Sequence, residues 1–156
     1  MTTDDVRIVE LEDEHDPAVH SLLVDLALDE QRHYDHPRES RDQVASRLRV
    51  APRFTGENHV FVARGPDDAP LGVCWVVLFD PGTGLEAEIA ELYVRPEARQ
   101  SGVASRLVAE AMALIRSRAV TFASVWTRDD NPAARAVYEA AGFRRTEQVV
   151  LTWLPV

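Results

Sequence analysis

Apolar residues recur along this chain with two different periods, and each change of period marks an element boundary. Val6 to Leu11 alternates apolar and polar positions as a strand does, before the acidic stretch Glu12-Asp13-Glu14-His15-Asp16 turns the chain. Pro17 suits the first position of a helix, and Val19, Leu22, Leu23, Leu26 and Ala27 then recur at helical spacing. This predicts an amphipathic helix from Ala18 to about His33. His36-Pro37 breaks it, and Ser40 to about Val50 reads as a second helix.

The period then shortens to two. Asn58 to Arg64, the turn Gly65-Pro66-Asp67-Asp68-Ala69-Pro70 and Leu71 to Phe79 read as a hairpin. Asp80-Pro81-Gly82-Thr83-Gly84 makes the next turn, leading into a strand from about Glu86 to Val94. Gly102 to Arg118 returns to helical spacing, with Val103, Leu107, Ala111, Leu114 and Ile115 on one face. Phe122 to Thr127 reads as a strand, Pro132 to Ala141 as a helix, and Phe143 to Leu154 as one or two closing strands around Glu147-Gln148. No repeat or linker interrupts the series, so one domain over residues 1–156 is expected.

Composition narrows the function. All 17 basic residues are arginine. Without a lysine there is no Walker-A phosphate site, no Schiff base and no kinase-type site. A net charge of −9 argues against nucleic acid as a partner. No apolar run approaches the roughly 20 residues that span a bilayer, and the acidic N-terminus argues against a secretory signal, so a cytoplasmic protein without membrane contact is expected. The lone Cys74 lies in the apolar run Val73-Cys74-Trp75-Val76-Val77 and reads as a small buried hydrophobe. Trp75, Trp126 and Trp153 sit in strand-like runs and read as core or edge packing rather than ligand platforms. His33, Tyr34, Asp35 and His36 lack further ligands at metal-binding spacing, so no metal site is expected.

Two segments carry the chemistry. Arg99-Gln100-Ser101-Gly102-Val103-Ala104 follows a strand and opens a helix, whose unpaired N–H groups and positive dipole end suit a pyrophosphate. Gly102 lets the backbone approach closely, Ala104 keeps that approach open, and Arg99 adds a permanent cation. Thirty residues on, Asn131 suits an N-cap, Pro132 the first helical position and Gly142 the position after the end. Asn131 and Tyr138 would then lie roughly 10 Å apart on similar azimuths.

The string from Glu91-Leu92-Tyr93-Val94-Arg95-Pro96 through Arg99-Gln100-Ser101-Gly102-Val103-Ala104 to Leu107 resembles the acetyl-CoA-binding motif of the GNAT superfamily of N-acetyltransferases, Arg/Gln-x-x-Gly-x-Gly/Ala. Asn131, Ala134, Tyr138 and Gly142-Phe143 resemble its next motif. The resemblance implies an α/β fold, a single GNAT domain with a mixed sheet of six or seven strands and about four helices. It also implies that Leu92, Tyr93 and Val94 line the pantetheine arm of acetyl-CoA. The N–H groups of Gln100, Ser101, Gly102, Val103, Ala104 and Ser105 would hold the pyrophosphate, and Tyr138 would face the sulfur. The superfamily often has Gly and a basic residue where this chain has Gln100 and Ser101, which gives this cradle less backbone freedom and one fewer cation.

Acetyl transfer from a thioester to an amine needs a neutral nucleophile, an oxyanion donor and a proton for the leaving thiolate. Tyr138 is the candidate proton donor, and Glu88 or Glu91 the candidate base. An unbulged strand would point those two carboxylates to opposite faces. The alternatives are an acyl-CoA-binding sensor without transferase activity and an acetyltransferase acting on a protein or peptide. Residues 1–57 hold 14 acidic residues against 7 arginines. Asp29, Glu30, Asp35, Glu39 and Asp42 crowd the helix connection that the resemblance places beside the acceptor, so a cationic amine is expected. Homodimers are common in that superfamily, which makes the closing segment around Trp153 a candidate dimer interface.

Overall fold

The computed structural model describes residues 11, 16–33, 38–50, 55–66 and 68–153. The strand expected from Val6, and Tyr34, Asp35 and His36, lie outside them. Among the described residues one mixed sheet runs in the order β1 (Gly56–Arg64), β2 (Pro70–Phe79), β3 (Glu86–Val94) and β4 (Phe122–Val125). The first three strands are antiparallel neighbours, and β4 returns parallel to β3. A parallel return needs a crossover, which α3 (Val103–Ser117) supplies.

Helix α3 covers one face of the sheet. Its Leu107, Val108, Ala111 and Ile115 are buried against Cys74, Val76 and Leu78 of β2 and Ala87, Ile89 and Val94 of β3. Burying each of the larger side chains contributes roughly 1.5–3 kcal/mol. At its far end Arg118 grips Glu57 of β1 through both carboxylate oxygens, at 2.8 and 2.5 Å.

Helices α1 (Pro17–Glu30) and α2 (Arg41–Arg47) form a second, smaller core around Val24, Val44 and Leu48. Asp16 caps α1, and Ser40 with Gln43 forms a capping box on α2. The buried stripe of α1 is rotated from the one expected: Val24 is buried, whereas Leu22 and Leu26 are exposed. Gln31 is buried too, its side chain accepting the Glu39 N–H at 2.6 Å, so the α1 to α2 connection is closed by a polar clamp. At the end of α2, Arg47 donates to Thr83 O at 3.0 Å, and just beyond it the Arg49 N–H donates to Gly82 O at 2.7 Å, tying this pair to the β2–β3 turn.

Among the described residues four α-helices are present, as expected, but the described sheet has four strands rather than six or seven. The closing strands expected from Phe143 do not form in residues 143–153. Phe143 packs edge-on against Tyr138, with ring centroids 6.0 Å apart. After it the chain leaves the core, and Leu151 and Trp153 are 91% and 83% exposed. Alternating apolar residues make a strand only where a neighbouring edge and a buried face receive them. The other two tryptophans, Trp75 and Trp126, are also exposed rather than packed inside.

Cys74 is fully buried, as expected, and burial pushes its thiol up to about 11. At pH 8 only about one such thiol in a thousand is ionised, so Cys74 should stay unmodified by a disulfide reagent until urea unfolds the chain. The folded state also holds this proton where the unfolded chain, titrating near 9.0, releases it. The contribution is therefore full below about pH 9 and lost as pH rises through about 11, so urea midpoints should fall across that window.

Candidate active site

Strands β3 and β4 pair only from Glu86 to Ile89 and from Phe122 to Val125. Beyond Ile89, β3 continues to Val94 without that partner, which opens the sheet between them. The chain then makes a 3-10 turn over Pro96–Ala98 and enters a loop in which Gln100 (φ 62°) and Gly102 (φ 82°) are both left-handed. Gly102 has no side chain to cap α3, so its first-turn N–H groups face the loop without a side-chain acceptor. A left-handed conformation costs a residue other than glycine about 1–2 kcal/mol. Gln100 bears that cost here.

The opening is a cleft of about 610 Å³. Leu92, Tyr93 and Val94 line it from β3, and Arg99, Gln100, Gly102, Val103, Ala104 and Ser105 from the loop and α3. Asn131 closes the far side ahead of α4 (Pro132–Ala140). Its Oδ1 accepts the Ala134 N–H at 3.2 Å, leaving its amide NH2 as the remaining donor. Arg99 folds back along the strand: Nε donates to Val94 O at 3.0 Å and the guanidinium stands 5.9 Å from the Tyr93 ring centroid. Ser101 is not in the lining, since its Oγ donates to Ala98 O at 2.6 Å and braces the loop.

Sequence reasoning missed Ala98, Ala133 and Val137 as lining residues. Their signal was small or β-branched residues beside the motif positions, where larger side chains would fill the cleft.

Tyr138 is only 7% exposed and does not line this cleft. It borders a neighbouring cavity of about 350 Å³ with Ser124, Trp126 and Phe143. Helix α4 is the wall between the two spaces, with Ala134 and Val137 on one side and Arg135, Tyr138 and Glu139 on the other. Burial, then the nearby Cys74 thiol and the Glu91 charge, push the Tyr138 phenol up to about 12.

The two glutamates are brought together. Trp75 pairs with Glu91 and Val76 with Ile89, so Ala90 is an extra residue on β3. This bulge restarts the alternation: Ala87 and Ile89 before it, and Leu92 and Val94 after it, all turn toward the α3 face. Glu88, Glu91 and Tyr93 therefore share the opposite face. The acidic cluster at the helix connection is less bare than its sequence: Glu39 forms two bonds with Arg47, at 2.8 and 2.5 Å, and Asp29 pairs with Arg32.

A parted mixed sheet whose third strand runs into an uncapped helix N-terminus defines an α/β protein with an open cleft between β3 and α4. The chain belongs to the acetyltransferase (GNAT) family, whose model matches residues 13–143. It is 37% identical over 91 residues to a mycothiol acetyltransferase of Clavibacter sepedonicus, a match over 58% of this chain and 27% of that protein. A mycothiol acetyltransferase of Beutenbergia cavernae is 35% identical over 77 residues, 49% of this chain and 25% of that one. The chain thus spans about a quarter of the curated relatives it matches. Among solved structures, a probable acetyltransferase is 26% identical with a TM-score of 0.52, covering 97% of this chain and 98% of that one. An aminoglycoside acetyltransferase from an uncultured soil metagenomic sample shares the fold at 16% identity, with a TM-score of 0.54 and coverage of 89% and 88%. No helix of the described residues is long and apolar enough to cross a membrane.

Proposed function

We propose that this acetyltransferase moves the acetyl group of acetyl-CoA to the amine of a small, cationic acceptor by direct attack in a ternary complex. The observation that carries this reading is the cleft between β3 and α4, floored by the Gly102 turn and the open end of α3. The added fields of unpaired N–H groups and Arg99 favour a pyrophosphate there, and the β3 backbone offers amide partners to a pantetheine arm. Family membership supports the same cosubstrate.

In the reaction the acceptor nitrogen, freed of its proton by Glu91 or Glu88, attacks the thioester carbonyl carbon. The new C–N bond forms as the C–S bond breaks, and the leaving thiolate takes its proton from Tyr138 where the thiol end of the arm passes the edge of α4 into the space that Tyr138 borders. The bulge at Ala90 interrupts the β2–β3 ladder beside this point, where an unpaired backbone N–H would stabilise the developing oxyanion.

Calorimetry should show one acetyl-CoA per chain, and a panel of small amines should stimulate release of the CoA thiol. Tight binding with no amine-stimulated release would favour an acyl-CoA sensor instead. Acetylation of peptides but of no small amine would favour the protein-directed alternative.

A further inference from the structure

The face of the sheet turned away from α3 carries an aromatic side chain that no role above accounts for. Trp75 stands directly across from Glu91 in the β2–β3 ladder, and Val60 of β1 stands across from it on the other side. Trp75 is 42% exposed, although tryptophan is among the side chains that gain most from burial. The ring is also held in place: the indole N–H donates to Asn58 Oδ1 on β1 at 2.7 Å. Exposure together with fixed orientation suits a platform, because a ring pinned before binding loses little freedom on binding.

Its neighbours specify what the platform would receive. Val60 and Tyr93, both exposed, extend an apolar strip on the same face, and Val77 separates Trp75 from the level of Glu88. Glu88 and Glu91 share this face only because of the Ala90 bulge, and among the described residues neither has an ion-pair partner. Directly opposed residues in a ladder have Cβ atoms about 4.5–5.5 Å apart, so Trp75 and Glu91 are side-by-side neighbours on this face. Glu91 is also a candidate base in the reaction proposed above, so in that scheme the strip borders the acceptor nitrogen. An aromatic face beside a free carboxylate is the arrangement that holds an ammonium group attached to a flat apolar body.

We propose that Trp75 is a specificity-determining residue for the acceptor: its ring carries the apolar body of an amine borne on an aromatic or flat hydrophobic group, while Glu91 takes the ammonium. This rests on the acetyltransferase reading given above. Asn58 is a positioning residue in this scheme, acting through the ring it holds.

The test is a steady-state comparison of 2-phenylethylamine with n-butylamine, equal in charge, at saturating acetyl-CoA. Wild-type protein should prefer the aromatic amine by about tenfold in kcat/KM. Trp75→Ala and Trp75→Leu should each collapse that ratio toward one by raising KM for 2-phenylethylamine. Trp75→Phe should keep most of it, and Asn58→Leu should give an intermediate KM with kcat unchanged. Trp75→Leu keeps the apolar bulk of the strip, which guards against loss of fold in the alanine variant. Turnover of both amines at equal kcat/KM by wild-type protein, or an unchanged ratio in folded Trp75→Leu, would overturn the proposal and leave the acetyltransferase reading standing. Failure to bind acetyl-CoA, or turnover of no amine at all, would overturn both.

Discussion

Replacing Tyr138 with phenylalanine should lower kcat by roughly 10²–10⁴-fold, the range for loss of a positioned proton donor. The affinity for acetyl-CoA should change by less than about twofold, because Tyr138 lies outside the cleft that would hold it. The ring stays, and with it the edge-on contact with Phe143, so stability should change little. A phenol pushed up to about 12 remains protonated throughout the working range, so no descending limb of the rate profile below about pH 11 should belong to Tyr138. Handing its proton to a thiolate of conjugate pKa near 8.5 is uphill by about 3.5 units, or ~5 kcal/mol. That fits within the ~16 kcal/mol barrier of an enzyme turning over about ten times per second. Stopped-flow kinetics and calorimetry on the same variant check both halves, and an equal loss of binding and turnover would assign Tyr138 to packing alone.

Gly72→Ala should lower stability by about 1–3 kcal/mol, or roughly 4–8 °C in Tm at the midpoint of that range. A Cβ built on Gly72 meets the Tyr93 carbonyl oxygen at 2.8 Å and stands 3.2 Å from both the Leu107 Cδ1 and the Val94 Cγ2. The first of these is backbone, which cannot rotate away. Relief must come from moving β3 at Tyr93 and Val94, two of the residues that line the cleft, so acetyl-CoA affinity should fall along with Tm. At Gly102, by contrast, an added Cβ meets nothing within 4 Å, and the constraint is the left-handed backbone itself. Thermal melts with and without acetyl-CoA separate the two effects: a Gly72→Ala protein with wild-type Tm would show that β3 yields freely.

The strands β1 to β3, the long helix after Gly102 and the short helix after Asn131 were all legible before any coordinates. Each has a clear period and chemically marked ends: Pro and Gly turns for the hairpin, Asn131 and Pro132 at one end of α4, Gly142 beyond the other. The turn before α3 was legible for the same reason, since a left-handed turn into a helix N-terminus is a local property and Gly102 announces it. The stripe of α1 was misplaced because Leu22, Val24 and Leu26 are equally apolar, and which of them is covered depends on where α2 docks. The closing strands were expected from alternation in a segment that the sheet does not take up.

What the sequence by itself determined, then, is everything set within a few neighbouring residues: the periods of the elements, their caps, the absence of lysine and the left-handed turn into the open end of α3. What only the tertiary structure decided is which residues meet across elements. The Ala90 bulge depends on how β2 and β3 register over their length, and it alone turns Glu88 and Glu91 to one face beside Trp75. The wall that α4 makes between the cleft and the space around Tyr138 depends on the azimuth at which that helix packs. Register and azimuth are settled by the summed burial of many distant side chains, a quantity that no local window of sequence contains.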